Sequence, residues 1–577
     1  MELFSYSQKW SSVQCFDVAA LCVQIVSKCA WSNDTLELEW KKRFLASVFH
    51  YLAISEKEQT VLLAMPGEID DSTFINLLIG NFKRCEERDI REEVIYDLLL
   101  VCLGLAQRSS NGEGMKQSEG IDVKERVDKV ISLKKSRERI EAILPSSSEV
   151  LSSQIMEPGE YDSRARTFLF KCSKYLEVSE SVVQALEKGL AQHLYFMQQQ
   201  KIKEELKASE VDASIQELHD SASTSLINQE KKKKKWRWMA TGVGVVVGAT
   251  AIGLTGGLAA PLVAAGIGAI TGAGIIATTA SSVVLMASLF GIAGGGLGGY
   301  KMHKRTRGLK EFSFTRIISD EAIPLIPSLY VNIVISGYIL EDDNEVTKPW
   351  LPTFENTANY IDTFALTFDI GILRSLGRAF RRFLAESAVK VAAQSALHST
   401  VFATLASALL LPTALMKAGD LIDNPWALGV DRAYKAGLVL SDVLCERVQG
   451  KRPTVLVGYS LGALVIWSCL CELQKRKKYG LIDSVILIGA PVLSTPVAQW
   501  QKVASVVSRR FVNAYATNDI VLGLIYRMHS LSLNVAGLGP VKCDRVENFD
   551  ITSFTTGHLG YCEQGTLARI LNEIGLN

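Results

Sequence analysis

A stretch of 62 positions, Met239–Tyr300, contains no charged residue, and this most constrains how the chain folds. Lys231–Lys235 and Arg237 precede it; Lys301, Lys304, Arg305 and Arg307 follow it. Crossing a hydrocarbon layer ~30 Å thick takes about 20 helical residues. The stretch is therefore too long for one crossing and long enough for two or three. Lys and Arg next to a span stay on the cytoplasmic side, and basic flanks at both ends require an even number of crossings. The expectation is a transmembrane hairpin, with spans at about Met239–Ala260 and Ile275–Leu297 and with Pro261 near the turn. Glycines four apart, among them Gly244/Gly248, Gly253/Gly257, Gly268/Gly272 and Gly291/Gly295/Gly299, let two apolar helices approach backbone to backbone. The alternative is a buried helical hairpin in a soluble protein. The lysine run alone also fits a nucleic-acid patch, but the apolar block beside it assigns it to a membrane flank. No nucleic-acid partner is expected.

The remaining sequence divides around this block. At ~150 residues per domain, 577 residues allow three or four units. A composition of 48% hydrophobic and 21% charged residues excludes wholesale disorder, and a net charge of +1 excludes a global field for polyanions. The eleven cysteines are scattered without a CxxC pair, which fits reduced thiols rather than a disulfide frame or a zinc site. Met1–Ser5 begins no signal peptide pattern. Residues 1–229 are expected to be helical, with Phe44, Val48, Tyr51 and Leu52 at helical spacing and a polar break at Ser109–Gly120. A short coiled coil, pairing the charged helical stretch 121–144 with the helical block that ends in Lys201–Glu217, is the alternative to a plain bundle there, and these helices are the expected contact for protein partners. Residues 230–307 form the hairpin region. A second uncharged run, Val391–Met416, is expected to be a core helix or a helical insertion at about 385–420, with a surface membrane helix as the alternative.

From 310 to 577 apolar runs alternate with helical segments. Strands are expected at Tyr330–Ser336, Phe364–Phe368, Thr454–Val457, Ser484–Ile488, Phe511–Tyr515 and about Val546–Ile551. Helices are expected at Asn424–Val448, opened by Pro425, and at Leu461–Leu473. This is the pattern of an α/β domain with a mostly parallel sheet covered on both faces. At its centre stands Gly458-Tyr459-Ser460-Leu461-Gly462, directly between an apolar strand and a helix. A GxSxG motif is weak evidence alone, but on a sharp strand-to-helix turn it presents the serine as a nucleophile of an α/β-hydrolase fold.

A serine needs a base, and the base an orienting acid; on this fold the chain order is Ser, acid, His. Only His529 and His558 follow Ser460. His558, in a loop after the last strand, is favoured over His529, which falls in a helical segment. Asp519, just past Phe511–Tyr515, is favoured over Asp483, Asp544 and Asp550 as the acid. The backbone N–H groups of Leu461 and Tyr338, the latter in Ser336-Gly337-Tyr338 after the first strand, are candidate oxyanion donors. The hydroxyl of Tyr338 or Tyr459 is the alternative. No metal or organic cofactor is expected.

Asp423–Ala463 resembles the transmembrane and coiled-coil domain-containing protein 4 family of α/β-hydrolase-like proteins. So do Ile488–Val492, Arg510–Tyr515 and Val535–Leu538. The resemblance is strongest over 310–577 and looser before it. It implies a membrane-associated eukaryotic protein with Ser460, Asp519 and His558 at the nucleophile, acid and base positions; it supplies no substrate. Phe368-Asp369 departs from the Trp-Glu pair of many relatives. The resulting expectation is a multi-pass protein of an intracellular membrane, with both flanking regions cytosolic. It would be a serine esterase or lipase acting on lipid-like esters; the rival is a non-catalytic membrane scaffold that keeps the hydrolase fold.

Overall fold

The computed structural model describes residues 5–29, 31–32, 34–64, 90–105, 155–156, 159–216, 309–317, 326–355, 357, 360–394, 412–529 and 534–576. The expected hairpin at 230–307, the break at Ser109–Gly120 and most of the run Val391–Met416 lie outside them. Among the described residues no helix is long and apolar enough to cross a membrane.

The described residues form two compact units. The first is helical: α1 (Ser12–Lys28), α2 (Thr35–Leu52), α3 (Glu56–Ala64), α4 (Ile90–Cys102), α5 (Ser163–Tyr175) and α6 (Glu180–Gln216). Helix α1 opens with a reciprocal capping box between Ser11 and Gln14. Every position of α1 from Cys15 to Val26 is buried, so it is covered on all sides within the unit. Two buried polar clusters fix the packing. Arg166 and Glu187 form a two-bond pair at 2.8 Å, and Tyr161 donates to the same carboxylate. Asp97 accepts from the backbone N–H groups of Tyr6 and Ser7 and from the Tyr51 hydroxyl, which pins the chain start to α2 and α4. Burial raises the Asp97 pKa above the usual carboxylate value, and these donors offset part of that rise.

The second unit is α/β. Its strands are β1 (Phe312–Arg316), β2 (Val331–Ile335), β3 (Asp362–Phe368), β4 (Thr454–Tyr459), β5 (Ile482–Ile488), β6 (Val507–Tyr515) and β7 (Glu547–Asp550). They form one sheet in the order β1-β3-β2-β4-β5-β6-β7. All pairings are parallel except β1 against β3. Every residue of β2, β3, β4 and β5 is buried, as a parallel sheet covered on both faces requires. Its longer helices are α7 (Ile370–Gln394), α8 (Pro412–Cys445), α9 (Leu461–Lys475), α10 (Val497–Ala504) and α11 (Ile520–His529) between strands, and α12 (Thr566–Ile574) after the last one.

Three expectations are corrected. Helix α8 starts twelve residues before Asn424, and Pro425 sits inside it instead of opening it; the helix continues past the one N–H that proline cannot donate. Strand β1 carries no long apolar run, and the sequence pattern did not mark it. It is an antiparallel edge that buries Phe312 and Phe314. Strand β6 begins at Val507, four residues before the expected Phe511. Its early part is polar because Arg509 pairs with Asp483 and Arg510 with Glu547 across the neighbouring strands.

Candidate active site

Strand β4 ends at Tyr459 and α9 begins at Leu461, so one residue makes the whole turn between them. That residue, Ser460, has φ 53° and ψ −125°, a left-side conformation that costs a non-glycine residue ~1–3 kcal/mol and persists only where the surroundings impose it. Those surroundings are backbone. A Cβ at Gly462 would lie 2.0 Å from the Ile335 carbonyl oxygen, and one at Gly458 would lie 2.7 Å from the carbonyl carbon of Gly462. The strand and the helix therefore meet with no space for a methyl group between them.

Ser460 Oγ lies 2.8 Å from His558 Nε2, and His558 Nδ1 lies 2.7 Å from Asp519 Oδ2. A carboxylate facing Nδ1 holds the proton there, which leaves Nε2 free to accept the serine proton. Asp519 sits between β6 and α11. Its other oxygen accepts the Leu522 N–H at 2.9 Å, and the Tyr561 hydroxyl donates to Oδ2 at 3.3 Å. Burial and the adjacent Asp519 push the Tyr561 hydroxyl well above the usual phenol range, so it remains a donor. Asn518 ties the two loops together, its side-chain amide donating to the carbonyls of Thr552 and Thr555. All three members of the relay are buried.

The other candidates stand elsewhere. Asp483 is at the start of β5, bound to Arg509. Asp550 ends β7 and accepts from Thr552, and His529 ends α11. Asp544 falls in the segment between β6 and β7. Of the candidate oxyanion donors, Leu461 supplies the first N–H of α9, which no intrahelical carbonyl can accept. The chain at Gly337 lies against that group: a Cβ there would be 2.5 Å from Leu461 N. Tyr338 therefore follows directly on the closest approach of the β2 loop to the turn. The hydroxyl alternatives are committed elsewhere. Tyr338 donates to the His558 carbonyl at 2.5 Å, and the Tyr459 hydroxyl lies 3.2 Å from Cys562 Sγ. Burial pushes the Cys562 thiol up to about 12, which removes it as a rival nucleophile.

Sequence reasoning missed Tyr561, Asn518 and Phe380. The Phe380 ring meets the His558 ring edge to face at 5.2 Å. Only Tyr561 carried a local signal, three residues past His558 on the same 3-10 turn. Asp369, the departure from the Trp-Glu pair, takes no part in the relay. It accepts the N–H groups of Lys310 and Glu311 and pairs with Arg432, joining the approach to β1 with α8. Tyr561→Phe removes one donor to Asp519, a bond worth about 1 kcal/mol. The expected outcome is a thermal midpoint lower by about 2–4 °C; an unchanged midpoint would show that the hydroxyl does not help hold Asp519.

A family model described as a protein of unknown function (DUF726) matches residues 232–577. An uncharacterized membrane protein of Caenorhabditis elegans is 36% identical over 425 residues, covering 72% of this chain and 64% of that protein. The transmembrane and coiled-coil domain-containing protein STS1 of Oryza sativa subsp. japonica is 33% identical over 436 residues, covering 72% and 61%. The chain thus spans less than two thirds of the length of these two relatives. The probable lipase MIL1 of Saccharomyces cerevisiae is 32% identical over 311 residues, covering 53% of this chain and 28% of that protein. No solved structure matches.

Proposed function

The chain belongs to the DUF726 family, and from that premise we propose that it is a membrane-associated serine hydrolase, an esterase or lipase acting on lipid-like esters. The observation that carries this reading is the continuous relay from Ser460 through His558 to Asp519 at 2.8 and 2.7 Å. The parallel sheet with its antiparallel edge and the strained serine between β4 and α9 support an α/β-hydrolase fold. The probable-lipase name of the yeast relative supports ester chemistry.

In the proposed reaction Ser460 Oγ attacks an acyl carbonyl as His558 Nε2 takes its proton. The negative charge on the carbonyl oxygen meets the N–H groups of Leu461 and Tyr338. The imidazolium then protonates the departing alcohol, and a water activated by the same His558 releases the acid. Asp519, held at Nδ1, orients the ring and stabilises the imidazolium each time it forms.

A fluorophosphonate probe tests the reading. Wild-type protein should be labelled and Ser460→Ala should not; equal labelling of the two would sink it. The rival reading, a non-catalytic scaffold, draws on the complete burial of Ser460. It expects no labelling of either protein.

The membrane placement extends the proposal. Residues 230–307 would form a hairpin of two spans with both ends cytosolic, because both flanks are basic. Residues 1–229 would then remain in the cytosol, where their helices are available to protein partners. On sealed vesicles, external protease should digest both flanking regions. Protection of one flank alone would demand an odd number of spans.

A further inference from the structure

Beside the serine turn, the α/β unit has a groove of about 390 Å³. Cavities of this size hold small organic ligands. Trp426 and Val430 of α8 form one wall, Leu464 and Trp467 of α9 the floor, and Val492 and Leu493 after β5 the opposite wall. Among the described residues no charged side chain lines it; its polar groups include Gln499 and Thr495, both exposed. A lining of this apolar character suits an aliphatic chain.

Its position relates it to the relay. Leu464 lies one helical turn beyond Leu461, the residue after Ser460. Trp426 meets Phe380 with ring centroids 6.4 Å apart, and Phe380 covers His558. Helix α8 rests directly on the serine turn, since a Cβ at Gly429 would be 2.6 Å from Leu461 Cδ1. On the far side, Gly489, which precedes the Val492 wall by three residues, packs on Tyr561, the donor to Asp519. Elements that line the groove therefore also border the relay: α8 through Trp426 and Gly429, α9 through the turn between Leu461 and Leu464, and the segment after β5 through Gly489.

We propose that this groove is the subsite for the acyl chain of the ester whose carbonyl Ser460 attacks, an inference that rests on the hydrolase reading above. The chain would lie along α9 between Trp426 and Val492, and the partly exposed Tyr434 and Leu493 would form its apolar entrance. The enzyme would then prefer long acyl chains over acetate.

The full-length protein is tested with p-nitrophenyl esters from acetate to palmitate. Val430→Trp fills the groove from α8. Gln499→Trp narrows its exposed mouth and does not disturb the core. Both should lower the palmitate-to-acetate ratio of kcat/KM by about tenfold or more, mainly through KM. A ratio unchanged in both variants overturns the proposal. Binding of a fluorescent polyene fatty acid to the Ser460→Ala protein separates this inference from the enzymatic one. Binding that Val430→Trp abolishes, together with a wild-type protein that hydrolyses no ester, upholds the groove as an aliphatic-chain site and sinks the hydrolase reading. Polyene binding that survives both variants removes the groove. Concentration-dependent dimerisation that Val430→Trp abolishes, with no polyene bound, reassigns the groove to a second copy of the chain.

Discussion

His558→Ala is expected to lower ester turnover by about four to six orders of magnitude while the protein stays folded. Nε2 is the only acceptor the relay presents to Ser460 Oγ, at 2.8 Å. Without it the serine remains a protonated alcohol, a weak nucleophile. Asp519→Asn should cost about four orders of magnitude by a different route. The amide keeps the size of the carboxylate but loses the charge that stabilises the imidazolium. It also turns a donor toward Nδ1, which favours the wrong tautomer. Because the three side chains act as one unit, the double variant should be little worse than His558→Ala alone. His529→Ala, at the end of α11 and outside the relay, should stay within about twofold of wild type. Steady-state kinetics on a p-nitrophenyl ester decide the matter. An active His558→Ala enzyme beside a dead His529→Ala enzyme would assign the base to the other histidine.

The site was legible where covalent order along the chain imposes geometry. GxSxG between an apolar strand and a helix allows few backbone paths, and the histidine count after Ser460 left two candidates. Asp519 was readable because loops at the carboxyl ends of parallel strands converge on one edge of the sheet. The pattern carried no information on contacts made between distant segments. Phe380 reaches His558 from 178 positions earlier in the chain, and nothing in the local composition of α7 distinguishes it from the phenylalanines around it. Asn518 lies one residue from Asp519, yet its role depends on the carbonyls of Thr552 and Thr555, which only folding brings near. The fold was read most reliably where burial is continuous, in β2, β4 and β5. It was read least well where polar pairing replaces burial, at the edge strand β1 and the early part of β6.

Gly462 provides the largest expected effect on stability. It stands in the first turn of α9, where the helix lies against β2, and a Cβ would sit 2.0 Å from the Ile335 carbonyl oxygen and 2.7 Å from its carbon. Both are main-chain atoms at the end of β2, a central strand of the sheet, and neither has a rotamer to escape into. Gly462→Val must therefore push α9 off the sheet or bend β2. Overpacking of flexible cores costs ~1–3 kcal/mol; with rigid neighbours the cost should exceed that range, a large share of the ~5–15 kcal/mol that holds a typical domain. The variant is expected to lose the cooperative transition of the α/β unit in urea or to shift it to much lower denaturant. Gly371→Ala is the matched control. Gly371 lies near the start of α7 with nothing within 4 Å of the added carbon, so alanine should stabilise by up to about 1 kcal/mol through the unfolded chain. A Gly462→Val protein with a wild-type urea midpoint would mean that α9 does not lie on β2 as described. The strained conformation of Ser460, which the same contact imposes, would then have no structural cause.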